Sequence, residues 1–161
     1  MIGSDDAGAS GLARSHPALT DAQTGLANRL HFDLVYNYLF EAGDRGLPFT
    51  VMLLSAGGSE SSDPEDIRRV GQEIDRISRS ADLVSHMGGG RYVVLLIGSN
   101  AQGGRIAADR IESALAGLAS GPVCFGIVAY SRDFQDAQAL MRAADTALLT
   151  AEAAGGGIEF G

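Results

Sequence analysis

Arg79 and Asp82 stand three residues apart, and a second arginine, Arg110, follows on a later segment. A guanidinium is a planar fork of donors that matches a phosphate or the acceptor edge of a purine, and a carboxylate accepts from N–H donors. The plainer reading is an exposed ion pair at a helix end, which contributes little. A second group is Gly88-Gly89-Gly90-Arg91-Tyr92, a glycine turn that ends on a cation and an aromatic ring. Its Arg91 reads as a solvated hairpin residue that could hold an anion. The histidines do not cluster. His16 lies in the first segment, His31 in an early helix and His86 just before the glycine turn, so their spacing builds no metal site. No serine, cysteine or second histidine joins His86 in a motif, so it reads as structural rather than catalytic.

These groups need elements to position them. Leu83 to Met87 and Arg91 to Ile97 are apolar runs around the glycines, which predicts a β-hairpin. Phe49 to Leu54 predicts a strand. Leu26, Leu30, Leu34 and Leu39 predict the buried face of a first helix. Asp63-Pro64-Glu65-Asp66 opens another, with a capping carboxylate, a first-turn proline and acids that suit the dipole. Ile67, Val70, Ile74 and Ile77 form its inner face. A helix near 101–118 carries Ile106, Ile111, Leu115 and Leu118 on or near one side. Val123 to Tyr130 predicts a strand, 136–153 a helix with Leu140, Met141, Ala144, Leu148 and Ala151 inward, and Ile158-Glu159-Phe160 a short edge strand. Gly155-Gly156-Gly157 follows a helix, so it is a stop and not a phosphate cradle. Helices alternating with strands and one hairpin give an α/β sandwich with a central mixed sheet flanked by helices.

The 161 residues suffice for one domain with a sizeable core. Residues 1–19 are rich in Gly, Ala, Ser and Asp and read as a flexible linker or an expression-derived segment; the domain spans 20–161. The net charge is −8 and all 12 basic residues are arginine, without a basic stripe, which argues against nucleic acid as a partner. Cys124 lies in a predicted strand as a small buried residue, and one cysteine excludes an intrachain disulfide. No apolar run is long enough to span a bilayer and no signal peptide is visible, so the expected place is the cytoplasm.

Three motifs in order carry a resemblance. Asp21-Ala22-Gln23-Thr24-Gly25-Leu26-Ala27-Asn28-Arg29 resembles the D-x-L-T-G-L-x-N-R turn of the bacterial GGDEF domains of diguanylate cyclases. Gly88 to Tyr92 stands at their signature hairpin, and Ala144-Asp145-Thr146-Ala147-Leu148 resembles their A-D-x-A-L-Y helix. The likeness covers about residues 20–160. It implies the nucleotidyl-cyclase-like fold, but the family's active-site residues are changed. Ser55 and Gly57 stand where two metal-binding aspartates are usual, and Mg²⁺ needs hard anionic oxygens. Gly88 and Gly89 match the paired glycines, but Gly90 and Arg91 replace the acids, with Tyr92 after them. Ser55 to Pro64 is too short for the guanine-reading segment and contains no Asn. Glu152 replaces a phosphate-binding lysine. The resemblance therefore implies a degenerate domain with no catalysis, no metal and no cofactor.

One family site matches. Arg79-Ser80-Ala81-Asp82 fits the R-x-x-D motif that binds cyclic di-GMP and inhibits active members, and Arg110 falls at its supporting arginine. Arginine can pair with guanine O6 and N7, and the carboxylate with N1 and N2. The resemblance thus implies a cyclic di-GMP receptor in second-messenger signalling, acting through Arg79, Asp82 and Arg110 on a protein partner or adjacent domain, with a ligand-promoted homodimer possible. Two alternatives stay open: a ligand-free interaction domain with a relic R-x-x-D, and a GTP-binding regulatory domain.

Overall fold

The computed structural model describes residues 16–57 and 63–161. In chain order the elements are α1 (Arg29–Gly43), β1 (Phe49–Ala56), α2 (Pro64–Ile77), β2 (Leu83–Gly88), β3 (Arg91–Ile97), α3 (Ala101–Leu115), β4 (Val123–Ala129), α4 (Ala137–Ala153) and β5 (Gly157–Phe160). Each helix starts on a side chain that accepts a backbone N–H. Asn28 takes His31 N, Asp63 takes Glu65 N, Asn100 takes Gly103 N and Asp136 takes Ala139 N. Such caps satisfy donors that the helix cannot, for about 1 kcal/mol each. A 3₁₀ turn, Pro17–Leu19, lies inside the segment read as a linker, and Asn28 Nδ2 donates to Ala18 O at 2.9 Å. Residues 1–15 of that segment lie outside the described residues, as does 58–62 of the short stretch after Ser55.

The sheet runs β2-β3-β1-β4-β5. β1 is central, antiparallel to β3 and to β4, and buried along its whole length. β5 pairs parallel to β4, which makes the sheet mixed as expected. Two cores follow from the alternation of side chains. Met52 and Leu54 of β1 face α2 and α3, while Val51 and Leu53 face α1 and α4. The layers approach closely at Gly126, where a Cβ would meet Ala144 O and Leu148 N of α4 at 2.5 Å. Tyr92 Oη ties β3 to α2 by donating to Ile67 O at 2.7 Å, and Tyr36 Oη ties α1 to the start of α4 by donating to Ala137 O. Burial pushes both phenols well above their ordinary range.

Two helix faces differ from expectation. α1 turns His31, Phe32, Tyr36 and Leu39 to the core, while Leu30 and Leu34 are exposed. The aromatic set repeats at helical spacing, and the helix begins only at Arg29, after Leu26. In α3 the buried residues are Gly104, Ala108, Ile111 and Leu115; Ile106 is exposed, and the helix ends at Leu115. Gly104 lies against Ile127 and Thr50, so the helix meets the sheet on its small residues.

Candidate functional site

The end of α2, the turn into β2 and the inner edge of α3 enclose a cavity of about 190 Å³. It brings together Arg79, Asp82 and Arg110, the three residues singled out in the sequence, with an apolar wall that includes Ile77, Leu96 and Ile106. Arg79 and Asp82 lie on the turn between α2 and β2, because α2 stops at Ile77 with Ser78 as its cap. The Asp82 carboxylate is buried, its side chain 3% exposed, and the Arg79 side chain is 54% exposed. Asp82 Oδ2 accepts from Arg79 N at 3.2 Å and from Nε at 3.3 Å, and Oδ1 accepts from Nη2 at 3.1 Å. Asp82 therefore supports Arg79 through both of its carboxylate oxygens. A buried carboxylate requires such pairing.

Sequence reasoning missed Ser99. Arg79 Nη2 donates to Ser99 Oγ at 2.9 Å and to Ile97 O at 3.2 Å. Ser99 precedes the cap of α3, and its carbonyl accepts from the buried Thr50 Oγ1 at 2.8 Å, so the turn is anchored on the central strand. Arg110 reaches back across the cavity and donates to Ile77 O at 3.2 Å. The result is two guanidinium groups held over a small apolar recess.

The hairpin lies at the far end of the sheet. Gly89 and Gly90 form its turn, with Gly88 and Gly89 at positive φ, where a side chain would be strained. Gly90 O accepts from Ala56 N at 2.9 Å, which holds the turn against the end of β1. His86 is buried and structural: Nδ1 lies 3.1 Å from Asp21 Oδ2 and Nε2 lies 2.8 Å from Gly89 O. Asp21 also accepts from Thr24 N and Oγ1, so one carboxylate joins the first turn to the hairpin.

Ser55 stands opposite Arg91 on one side and Cys124 on the other. Its Oγ is buried with no well-formed hydrogen bond. Burial pushes the Cys124 thiol up; Ser55 beside it works the other way, and the Glu152 charge adds to the rise. Arg91 is not the solvated residue expected. Its Nη2 donates to Glu152 Oε1 at 3.1 Å and Oε2 at 3.4 Å, both side chains being partly buried. The arginine of β3 and the glutamate of α4 thus neutralise each other at the end of the sheet. Among the described residues no group of three or more His, Cys, Asp or Glu could hold a metal ion. No described helix is long and apolar enough to cross a membrane.

The family model described as diguanylate cyclase, GGDEF domain, matches residues 58–157. No curated protein matches the chain. Several solved structures share the fold. The coiled coil and GGDEF domain of DgcB from Caulobacter crescentus, in complex with c-di-GMP, has 20% identity and a TM-score of 0.78, over 89% of this chain and 86% of that one. The diguanylate cyclase SiaD of Pseudomonas aeruginosa, in complex with its activator SiaC, has 19% identity and a TM-score of 0.80, over 93% of this chain and 64% of that one. The FimX GGDEF domain, also from P. aeruginosa, has 16% identity and a TM-score of 0.75, over 89% and 99%.

Proposed function

Because the chain belongs to the GGDEF family of diguanylate cyclase domains, we propose that it is a catalytically inactive member that binds cyclic di-GMP through Arg79, Asp82 and Arg110. The observation that carries the reading is the cavity that gathers these three residues. Its volume is below the ~300–1,000 Å³ of sites that enclose a drug-sized ligand. It suits one guanine, with the rest of the dinucleotide on the surface. Among the described residues the Arg79 guanidinium donates through Nε and Nη2, and in this reading Nη1 meets guanine O6 or N7. Arg110 is placed for a phosphate or for stacking on the base. DgcB, which shares the fold, is in complex with the same dinucleotide.

Inactivity rests on the other end of the sheet. Two-metal phosphoryl transfer needs carboxylates that hold cations beside the triphosphate. Ser55, Gly90 and Arg91 supply none, and Glu152 opposes a phosphate while it holds Arg91. In this reading the domain passes ligand occupancy to a neighbouring domain or partner. Incubation with GTP and Mg²⁺ or Mn²⁺, followed by chromatography, tests the inactive half. No cyclic di-GMP is expected; product that persists after rigorous removal of contaminating cyclase overturns it.

A further inference from the structure

Both ring nitrogens of the buried His86 face oxygen atoms. Nδ1 lies 3.1 Å from Asp21 Oδ2, and Nε2 lies 2.8 Å from Gly89 O. The His86 side chain is 3% exposed, which leaves the ring almost no access to water. A backbone carbonyl only accepts, so Nε2 must carry a hydrogen. Asp21 Oδ2 is an acceptor as well. It takes Thr24 N at 2.9 Å and the Thr24 hydroxyl at 2.8 Å. The oxygen of that hydroxyl accepts from Leu26 N at 3.1 Å, so its proton goes to Asp21.

A neutral imidazole carries one N–H. It would set its bare nitrogen against Asp21 Oδ2 or Gly89 O, lone pair against lone pair inside the fold. An imidazolium satisfies both oxygens and neutralises the carboxylate. The elements packed around the ring do not change this. β3 sets the Tyr92 ring 5.4 Å away. The Tyr92 phenol donates to Ile67 O, and burial pushes it well above its ordinary range, so it stays neutral. Arg91 follows the alternation of β3 to the other face, where Glu152 holds it. α2 turns Ile67, Val70, Gly71 and Ile74 inward, none of them ionisable.

We propose that His86 and Asp21 form a proton-dependent latch between the first turn and the hairpin, closed while the ring holds its second proton and opened by the loss of that proton. The latch sits at the edge of the sheet. Ala27 N donates to Val84 O at 3.3 Å and His86 N donates to Ala27 O at 3.2 Å, so the segment after Asp21 covers the outer side of β2. At the hairpin the latch holds Gly89, next to Gly90, which accepts from Ala56 N at the end of β1. The folded geometry requires the proton and the unfolded chain does not, so the stability it contributes is lost as pH rises. The loosening is local, confined to the first turn and the hairpin while the central strands stay closed. No residue of the cavity at Arg79 takes part, so the latch stands apart from the nucleotide reading.

Long-range proton–nitrogen NMR of the nitrogen-labelled chain reads the ring directly, with His86 assigned through its own backbone. At neutral pH both ring nitrogens should show the pattern of N–H nitrogens. Titration upward should convert the ring to a neutral tautomer. Protection of the Ala27 and His86 amides, corrected for intrinsic exchange at each pH, should fall about tenfold in step with it, one charge-assisted hydrogen bond being lost. In His86→Arg, whose guanidinium stays charged, that pH-dependent loss should vanish. The first two readouts use the native chain and decide the matter even if the variant does not fold. A His86 ring that is neutral at neutral pH, amide protection that does not follow the ring's titration, or a folded His86→Arg variant that keeps the pH-dependent loss overturns the proposal.

Discussion

Replacing Arg91 with glutamate tests whether the two charges at the end of the sheet serve each other. The Nη2–Oε1 distance is 3.1 Å. Two unit charges at that separation attract by about 5 kcal/mol in an effective dielectric of ~20. Desolvation and side-chain ordering remove most of this. The side chains are 32% and 21% exposed, so solvent screening lowers it further. A net contribution of about 1 kcal/mol remains. Arg91→Glu loses it and sets Glu against Glu152, adding about 1 kcal/mol of repulsion after one carboxylate turns to water. The single change should cost about 2 kcal/mol, or roughly 4–8 °C in Tm for a domain of this size. Glu152→Arg alone should cost a similar amount by placing two guanidinium groups together. The double swap rebuilds the pair in reverse and should cost less than about 1 kcal/mol, a coupling near 3 kcal/mol. Urea unfolding of the four proteins measures the cycle. A double variant with the summed cost of the singles, about 4 kcal/mol, would refute the argument that the charges are partners.

Ser99→Ala should weaken cyclic di-GMP binding about two- to tenfold by freeing the Arg79 guanidinium, one net hydrogen bond contributing about 0.5–1.5 kcal/mol; titration calorimetry reads this, and Ser99→Thr should recover most of the loss. Gly126→Ala should cost about 3 kcal/mol or more in thermal unfolding, because its Cβ would meet the α4 backbone, which cannot move aside as a side chain can. Restoring carboxylates with Gly90→Asp and Arg91→Glu should yield no cyclase activity in a chromatographic assay with GTP, since Ser55 still offers no anionic ligand.

The strands were legible because their apolar runs are bounded by glycines and capping residues. The buried face of α1 was misread because the helix is apolar on two sides. Periodicity finds both sets, and only the sheet selects Phe32, Tyr36 and Leu39 over Leu30 and Leu34. Arg91 and Glu152 each stand out in the sequence as changed charges, but 61 positions separate them, and no local pattern tells that β3 and α4 end side by side. The R-x-x-D spacing and Arg110 placed three residues of the candidate site. Ser99 carried no signal, since its contact with Arg79 arises only where the turn into α3 returns beside the end of α2. The buried state of Asp82 depended on the same packing.

Isothermal titration calorimetry of the chain with cyclic di-GMP, and with GTP on the same sample, tests the central claim most directly. The account predicts saturable binding of cyclic di-GMP and none of GTP. Arg79→Ala should weaken that binding tenfold to a hundredfold, about 1.5–3 kcal/mol for a hydrogen bond to a charged group, while Arg91→Ala leaves it nearly unchanged. An absence of heat with cyclic di-GMP at high micromolar concentration, or binding that Arg79→Ala leaves intact, would contradict it.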